Sequence, residues 1–569
     1  MYHDHPRFVD SQMKSISLFG VLWLVTLLAC AGLCRVIGFL HLYGQHTQAQ
    51  LACAIALCGV FATWLTVEAY SYAQKGNGSN SYAVVEMDAK PAGPSPQTVG
   101  QQGADDPEGV PDETSPIASA VGTQAAMAEV ALSSLQPLRS ATEFAVILGF
   151  MYVCDRTAVF GQIGKVYDPQ VFWGLWALLC VVALCSVRTI RESKPLSREQ
   201  TDEWKGWMQI MFLMYHYFAE HEIYNAIRIY IACYVFMTGY GNLFLYRRGK
   251  SFTVRRTLQV LFRLNFLGFF VCVILNNEYM LYYICPMHTL FTIFVLVAMY
   301  LFNQHNGSTR VLYAKIAVTA VFTILLYDGP DFLFRGTFGM LPGVRQLFAF
   351  HDPLHPEFTD EMHEWHFRSG LDRFVWIIGM VFALHVPDFE KLFEWLQSLP
   401  QPKRATTQAG IAAGALSVGF VWCYFVFFLE KRAYNRAHPF TSAVPIAIYL
   451  LLRNLTEFLR KRYLWLFAYM GRVTLETYIL QFHVWMKTTG INGSPKHLLE
   501  LVPGSYWANF VLLTAVYVFI SVRLSHLTMV LRDALIPEDL GTVGKIWAGL
   551  TAVGAICWVL ALTLSSSPP

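Results

Sequence analysis

Three stretches place ionisable side chains inside or beside apolar runs, and each implies a chemistry. In DEWKGWMQIMFLMYHYFAEHEIYNAIRIY, Lys205 and His216 stand eleven residues apart, about 16 Å along a helix at ~1.5 Å per residue. That spacing puts Lys205 at one membrane rim and His216 deep inside. An imidazole in a membrane helix faces the bundle interior, either as a proton carrier near neutral pH or as a hydrogen-bonding link between helices. Glu220 follows His216 at i+4, a spacing at which a carboxylate can orient the ring. The second stretch, RRTLQVLFRLNFLGFF, holds Arg263 and Asn265 within an apolar run and Arg255 and Arg256 at its basic start. An unpaired guanidinium there is costly, so Arg263 needs a protein carboxylate or the phosphate of a nucleotide-bearing donor. The third, EMHEWHFRSGLDRFVWIIGM, sets His363 and His366 on one helix face and Arg368 and Asp372 on another, with Arg373 adjoining. It reads either as a network that positions a hydroxyl acceptor or as an interfacial ion-pair cluster, and it lacks a third ligand at the fixed spacing a metal needs. His288 in YYICPMHTLF and His483 in TLETYILQFHVWMK, with Glu476 two turns before the latter, are further candidates; a lone histidine in such a place is otherwise a packing residue.

These residues need helices in a membrane to hold them. Of the 569 residues, 55% are hydrophobic, 15% aromatic and only 14% charged, against about 25% charged in a soluble domain. Apolar stretches such as 17–40, 411–429 and 509–522 approach or exceed the roughly 20 residues that cross a hydrocarbon layer. A helix-length window finds spans near 17–40, 50–73, 143–163, 170–187, 206–219, 227–246, 257–275, 280–302, 311–327, 372–386, 408–429, 443–458, 464–484, 508–531 and 545–564. The expected fold is therefore an all-α polytopic membrane protein, a bundle of about 12–15 transmembrane helices. Residues 1–74 form an N-terminal transmembrane pair, 75–140 a Gly-, Pro-, Ser- and acid-rich disordered linker, and 141–569 the main multi-span domain. A net charge of +3 offers no basic face for nucleic acid, and membrane lipid is the evident partner. The 12 cysteines contain no C-x-x-C pair and read as small core residues.

Basic loops at Arg188 to Arg198, Arg247 to Arg256 and Lys403 to Arg404 alternate onto one side, expected to be cytosolic together with the N-terminus and the linker. The turns at Glu220 to Asn225 and Asn276 to Tyr279 then face a lumen. Lys431, Arg432 and Arg436 break the alternation. Of four N-glycosylation sequons only Asn492 falls on the expected luminal side.

The strings EWKGWMQ, MYHYF, EHEIYNAIRI, TGYGN, FRLNF, YMLYYICPMHTLF, HEWHFRSGLDR, LETYILQFH and SVRL, in this order, resemble the plant reduced wall acetylation proteins. These belong to the multi-span capsule-synthesis acyltransferase family, which includes the membrane half of sialic acid O-acetyltransferases; the resemblance covers roughly 143–535. It implies an acyltransferase-like bundle in the Golgi membrane that passes acetyl from acetyl-CoA towards polysaccharide hydroxyls. Some relatives carry a luminal esterase-like domain with a Ser, Asp and His triad. No such block stands in this sequence, so a separate luminal esterase-like acetyltransferase is the implied partner. The His216 span also looks like the histidine-bearing first helix of bacterial membrane acyltransferases, with Lys205 where those have Arg. In this reading Arg255, Arg256 and Arg263, with Lys205 and Asn265, hold the donor, His216 acts as base or transient acetyl acceptor, and His363, His366 and Asp372 meet the acceptor. The alternative is a transporter that carries the intact acetyl donor across the membrane.

Overall fold

The computed structural model describes residues 47–85, 116–190, 194–247, 253–340 and 343–565. The expected span at 17–40 and residues 86–115 of the expected linker lie outside them. The helices that matter here are α1 (Gln48–Val85), α2 (Pro116–Arg156), α3 (Pro169–Cys185), α4 (Arg198–Tyr217), α5 (Tyr224–Arg247), α6 (Val254–Leu275), α7 (Ile284–Tyr300), α8 (Thr309–Asp328), α9 (His363–Leu371), α10 (Val375–Ser398), α11 (Lys403–Trp422), α12 (Lys431–Thr441), α13 (Ala443–Asn454), α14 (Trp465–Met470), α15 (Thr474–Leu480), α16 (Tyr506–Leu535) and α17 (Leu540–Ser565). Among the described residues eight helices are long and apolar enough to cross a membrane, and three shorter apolar ones join them. The helix α4 is as long but too polar to meet that measure, because it carries Asp202, Glu203, Lys205, Gln209 and His216.

The expectation of disorder over 75–140 fails at both ends, where the backbone is helical at 75–85 and 116–140. For 116–140 the cause is composition. Pro116 starts the helix, and a run of Ala with Met, Glu, Leu and Gln favours its continuation. Nothing in the composition of 75–85 accounts for helix there.

The chain divides into two compact units, residues 1–146 with 547–569, and residues 147–546. In the first, Ala52 and Ile55 pack against Cys557 and Ala561. The second unit holds every candidate site. Its tightest contacts are made by glycine. A methyl added at Gly206 would lie 1.7 Å from the Phe467 carbonyl oxygen, and one at Gly471 would lie 1.8 Å from that of Asp202, so α4 and α14 meet backbone to backbone. Gly239 against Trp376 (1.8 Å) and Gly379 against Phe236 (2.2 Å) do the same for α5 and α10. Without hydrophobic drive between helices in lipid, such close approach supplies the packing energy.

Unit two has two polar ends. At the first, Arg453 clasps Glu203 at 3.1 Å, Gln200 donates to the Arg460 carbonyl at 3.0 Å, and β2 (Val187–Thr189) pairs with β3 (Arg462–Leu464). At the second, β1 (Gly161–Gly164), β5 (His497–Glu500) and β4 (Met486–Lys487) form a three-stranded antiparallel sheet. The helix α12 belongs to this second end, since Tyr224 donates to Asn435 at 3.2 Å and Asn225 to the Phe427 carbonyl at 2.7 Å. The basic stretch that breaks the charge alternation therefore sits beside the Glu220 to Asn225 turn.

Candidate active site

A cavity of about 270 Å³ opens between α4, α5, α6, α7 and α15. Lys205 and Gln209 line one wall, Thr238 and His288 another, and Phe212 and Tyr478 lie on it where it approaches His216. The α4 positions 201, 205, 209, 212 and 216 follow one face, so this helix strings the cavity between the first polar end and His216. Lys205 on that wall belongs to a group of three cations that share one carboxylate: Asp202 lies 2.7 Å from Lys205, 3.7 Å from Arg472 and 4.0 Å from Arg198. The excess positive charge suits a phosphate-bearing ligand.

One turn past Phe212, the His216 Nδ1 lies 3.2 Å from Gln481 Oε1. The Gln481 amide is oriented by its own donation to the Tyr478 carbonyl at 3.0 Å, so its oxygen faces the imidazole. Nδ1 must then carry the proton, which leaves Nε2 with a lone pair. Among the described residues Nε2 has no hydrogen-bond partner, and the ring is half-buried. Gln481 opens a π-helical turn, Gln481–Trp485, that continues α15; such turns recur at functional sites. Lys165, in the loop after β1, donates to the His216 carbonyl at 2.7 Å, and burial lowers its pKa to about 8.

Two other histidines in the bundle are held at both nitrogens. His483 Nδ1 meets Asp155 at 3.0 Å and its Nε2 meets the Tyr282 hydroxyl at 2.5 Å. Asp155 also takes the Thr488 N–H at 2.7 Å and pairs with Arg156, which donates on to Asn277 at 2.8 Å. His438 Nε2 meets Asp372 at 3.3 Å and its Nδ1 meets the Tyr434 hydroxyl at 3.1 Å, while Arg228 donates to Asp372 at 2.8 Å. Both are Arg, Asp, His, Tyr quartets. His483, Asp372 and His438 are at most 1% exposed.

The structure redistributes the expected roles. Glu220 does not touch His216; α4 ends at Tyr217, Ala219 takes φ 51°, and the carboxylate instead accepts the Ile223 N–H at 3.0 Å at the start of α5. Arg263 is not free for a phosphate, since it faces Glu476 at 2.5 Å and Ser525 at 3.3 Å. Glu476 is thereby an ion-pair partner and has no contact with His483. Arg255 reaches Glu538 and the Ile536 carbonyl, each at 3.4 Å, and Arg256 is half-buried in the first turn of α6. Asn265 bonds Thr289 at 3.0 Å and Tyr279. Asp372 belongs to a buried quartet and is not a rim residue beside His363. Arg368 pairs with Glu364 at 2.6 Å and stacks over Tyr283. His288 Nδ1 binds the Thr238 hydroxyl at 2.7 Å, and the ring stays on the cavity wall. The Asn492 sequon is buried, its side-chain oxygen accepting the Glu278 N–H at 2.7 Å. Gln481, Asp155, Tyr282, Arg228 and His438 were not singled out in the sequence. A charge inside IYNAIRIY and the histidine of AHPF were the signals for the last two.

His363 and His366 do share a site. With Asp328, Arg373, Arg432 and Arg436 they line an open cavity of about 740 Å³ at the His216 end. Arg373 is committed to Asp328 by two bonds of 3.0 and 2.8 Å.

Residues 108–546 match the model of a family described as the 10 TM acyl transferase domain found in Cas1p. The chain is 30% identical over 447 residues to the N-acetylneuraminate (7)9-O-acetyltransferase of Danio rerio, an alignment covering 75% of this chain and 54% of that protein. The chain thus spans about half the length of the curated relative it matches. No solved structure matches it.

Proposed function

Because this chain belongs to the ten-span acyl transferase family of Cas1p, we propose that it is a membrane O-acetyltransferase that takes acetyl from acetyl-CoA and passes it towards a glycan hydroxyl. The observation that carries this reading is the unpartnered Nε2 of His216, whose ring meets Phe212 on the wall of a cavity that Lys205 also lines, with Arg198, Lys205 and Arg472 gathered around Asp202 beside it. In the reaction the donor's acyl arm lies along α4 with its phosphates at those cations. His216 Nε2 removes the proton from the acceptor hydroxyl as its oxygen bonds to the acetyl carbon, the carbon–sulfur bond breaks, and the imidazolium returns the proton to the departing thiolate. Gln481 holds the ring in the tautomer that step needs, and Lys165 fixes the end of α4 that presents it.

The quoted motif strings favour the wall-acetylation branch of the family, which makes the site a Golgi membrane. The Lys205 end then faces the cytosol with the N-terminus, and the His216 end faces a lumen that holds a cell-wall polysaccharide or an esterase-like acetyltransferase partner. The test is purified protein in liposomes with acetyl-CoA carrying one label on acetyl and another on the CoA half. Acetyl label on an enclosed glycan, with the CoA label left outside, is the expected result. Entry of both labels would make the protein a donor transporter, and unchanged acetyl delivery in His216→Ala would remove the assigned base.

A further inference from the structure

We infer that the basic cavity at the His216 end is the docking site for an acidic acceptor, whose carboxylate is held by Arg432 and Arg436. This inference rests on the reading that the acceptor is a glycan and adds the chemical class of that glycan.

The cavity is built from one face of α12 against α9 and the end of α8. On α12, Lys431, Arg432 and Arg436 are exposed, while Tyr434 and His438 on the adjoining, buried flank are locked into the quartet with Asp372. The helix that presents the cations is thus anchored by its buried flank. Among the described residues none of these three cations pairs with a carboxylate, whereas Arg373 in the same cavity is fully engaged by Asp328. Lys431 lies over the Tyr224 ring at 4.8 Å. Three cations against one already neutralised acid is an arrangement that recruits an anion, and a planar guanidinium fits a carboxylate through two parallel bonds.

The remaining lining suits a hydroxylated body. Asn435, His363 and His366 offer donors and acceptors, and a cavity of about 740 Å³ falls in the range of roughly 300–1,000 Å³ in which small ligands bind. An acidic sugar unit offers both features, a carboxylate for the arginines and hydroxyls for the amide and imidazoles. The basic residues that break the alternation of charge along the chain thereby have a role at this end.

The test uses the full chain in nanodiscs of neutral phosphatidylcholine, without acetyl donor, and measures equilibrium binding of an oligogalacturonide and of its fully methyl-esterified form. The acid form is expected to bind at least about tenfold tighter, and Arg432→Gln with Arg436→Gln should erase that preference. Lys431→Gln with Arg436→Gln serves as a second variant if the first does not fold. Equal binding of the two forms, or a preference that survives both variants, overturns the inference. Loss of the preference in discs containing phosphatidylserine would assign the cations to a lipid headgroup and also overturn it, while retention there supports the glycan. Because no acetyl donor is present, failure here leaves the transfer reading to the labelled-donor experiment.

Discussion

The four histidines placed within the helix bundle fall into two kinds, and the difference separates structure from chemistry. His438 and His483 have both ring nitrogens taken, one by a carboxylate and the other by a tyrosine hydroxyl, with an arginine neutralising each carboxylate. A ring so held can neither accept a substrate proton nor turn towards a substrate. His216 and His288 have one nitrogen taken by a neutral group; His288 lines the cavity and His216 packs against Phe212 on its wall. Neutral partners fix the tautomer without quenching the free lone pair. His216, His288 and His483 look alike as polar residues in apolar runs, and His438 stands in the basic stretch KRAYNRAHPF, yet His438 and His483 tie helices together while His288 lines a cavity and His216 meets its Phe212 wall.

The comparison breaks if the open pair can be removed without cost to the reaction. His216→Ala should lower acetyl transfer by roughly 10²–10⁴ while thermal unfolding of the solubilised protein is unchanged, and a matching fall in melting temperature would class His216 with the locked pair. For the locked kind, Asp372→Asn leaves Arg228 buried without its charge partner, a loss of about 3–5 kcal/mol that should appear as early unfolding before any change in donor KM. Gly206→Ala sharpens the contrast in another way. Its methyl collides with the Phe467 carbonyl, and overpacking of this sort costs about 1–3 kcal/mol or more, so folded yield should fall although no polar group changes. His288→Gln is expected to raise donor KM by less than tenfold, with kcat nearly unchanged; a kcat loss as large as that of His216→Ala would make it a second base.

The smallest effect concerns His351 at the loop that faces Glu278. The hydrogen bond and charge of Glu278 raise the His351 pKa above its usual 6.5. Raised in the folded state, that pair's contribution is complete below pH 6.5 and fades as pH climbs through the folded value. Intrinsic-rate-corrected hydrogen exchange of residues 349–353, where the His351 amide donates to Glu278 at 2.7 Å, should therefore show less protection at alkaline pH, and His351→Gln should flatten the trend.

The membrane fold was legible because composition and hydropathy report burial in lipid directly, and the span boundaries at α5, α6 and α8 lie close to the apolar runs. Partner choice did not follow, because it depends on helices far apart in sequence. Glu220 and His216 share helical spacing but not a helix, since the chain turns at Ala219. Glu476 and His483 share a segment but answer to Arg263 and Asp155, which lie 213 and 328 residues away. Polar density also misled: the third stretch supplied the cavity residues His363 and His366 but also Asp372, which burial removes from any substrate.

The two glycine crossings bear on how the protein can move. At α4 with α14, and at α5 with α10, backbone touches backbone without side chains between them, so sliding or parting those pairs strips contacts that no rotamer can restore. Rocking of the kind that carries a bulky nucleotide through a bilayer would have to break such contacts if either crossing lay on its hinge. Swinging Phe212 or Tyr478 aside breaks none. The two crossings therefore resist sliding of these helix pairs, whereas turning an aromatic side chain on the cavity wall leaves both crossings intact.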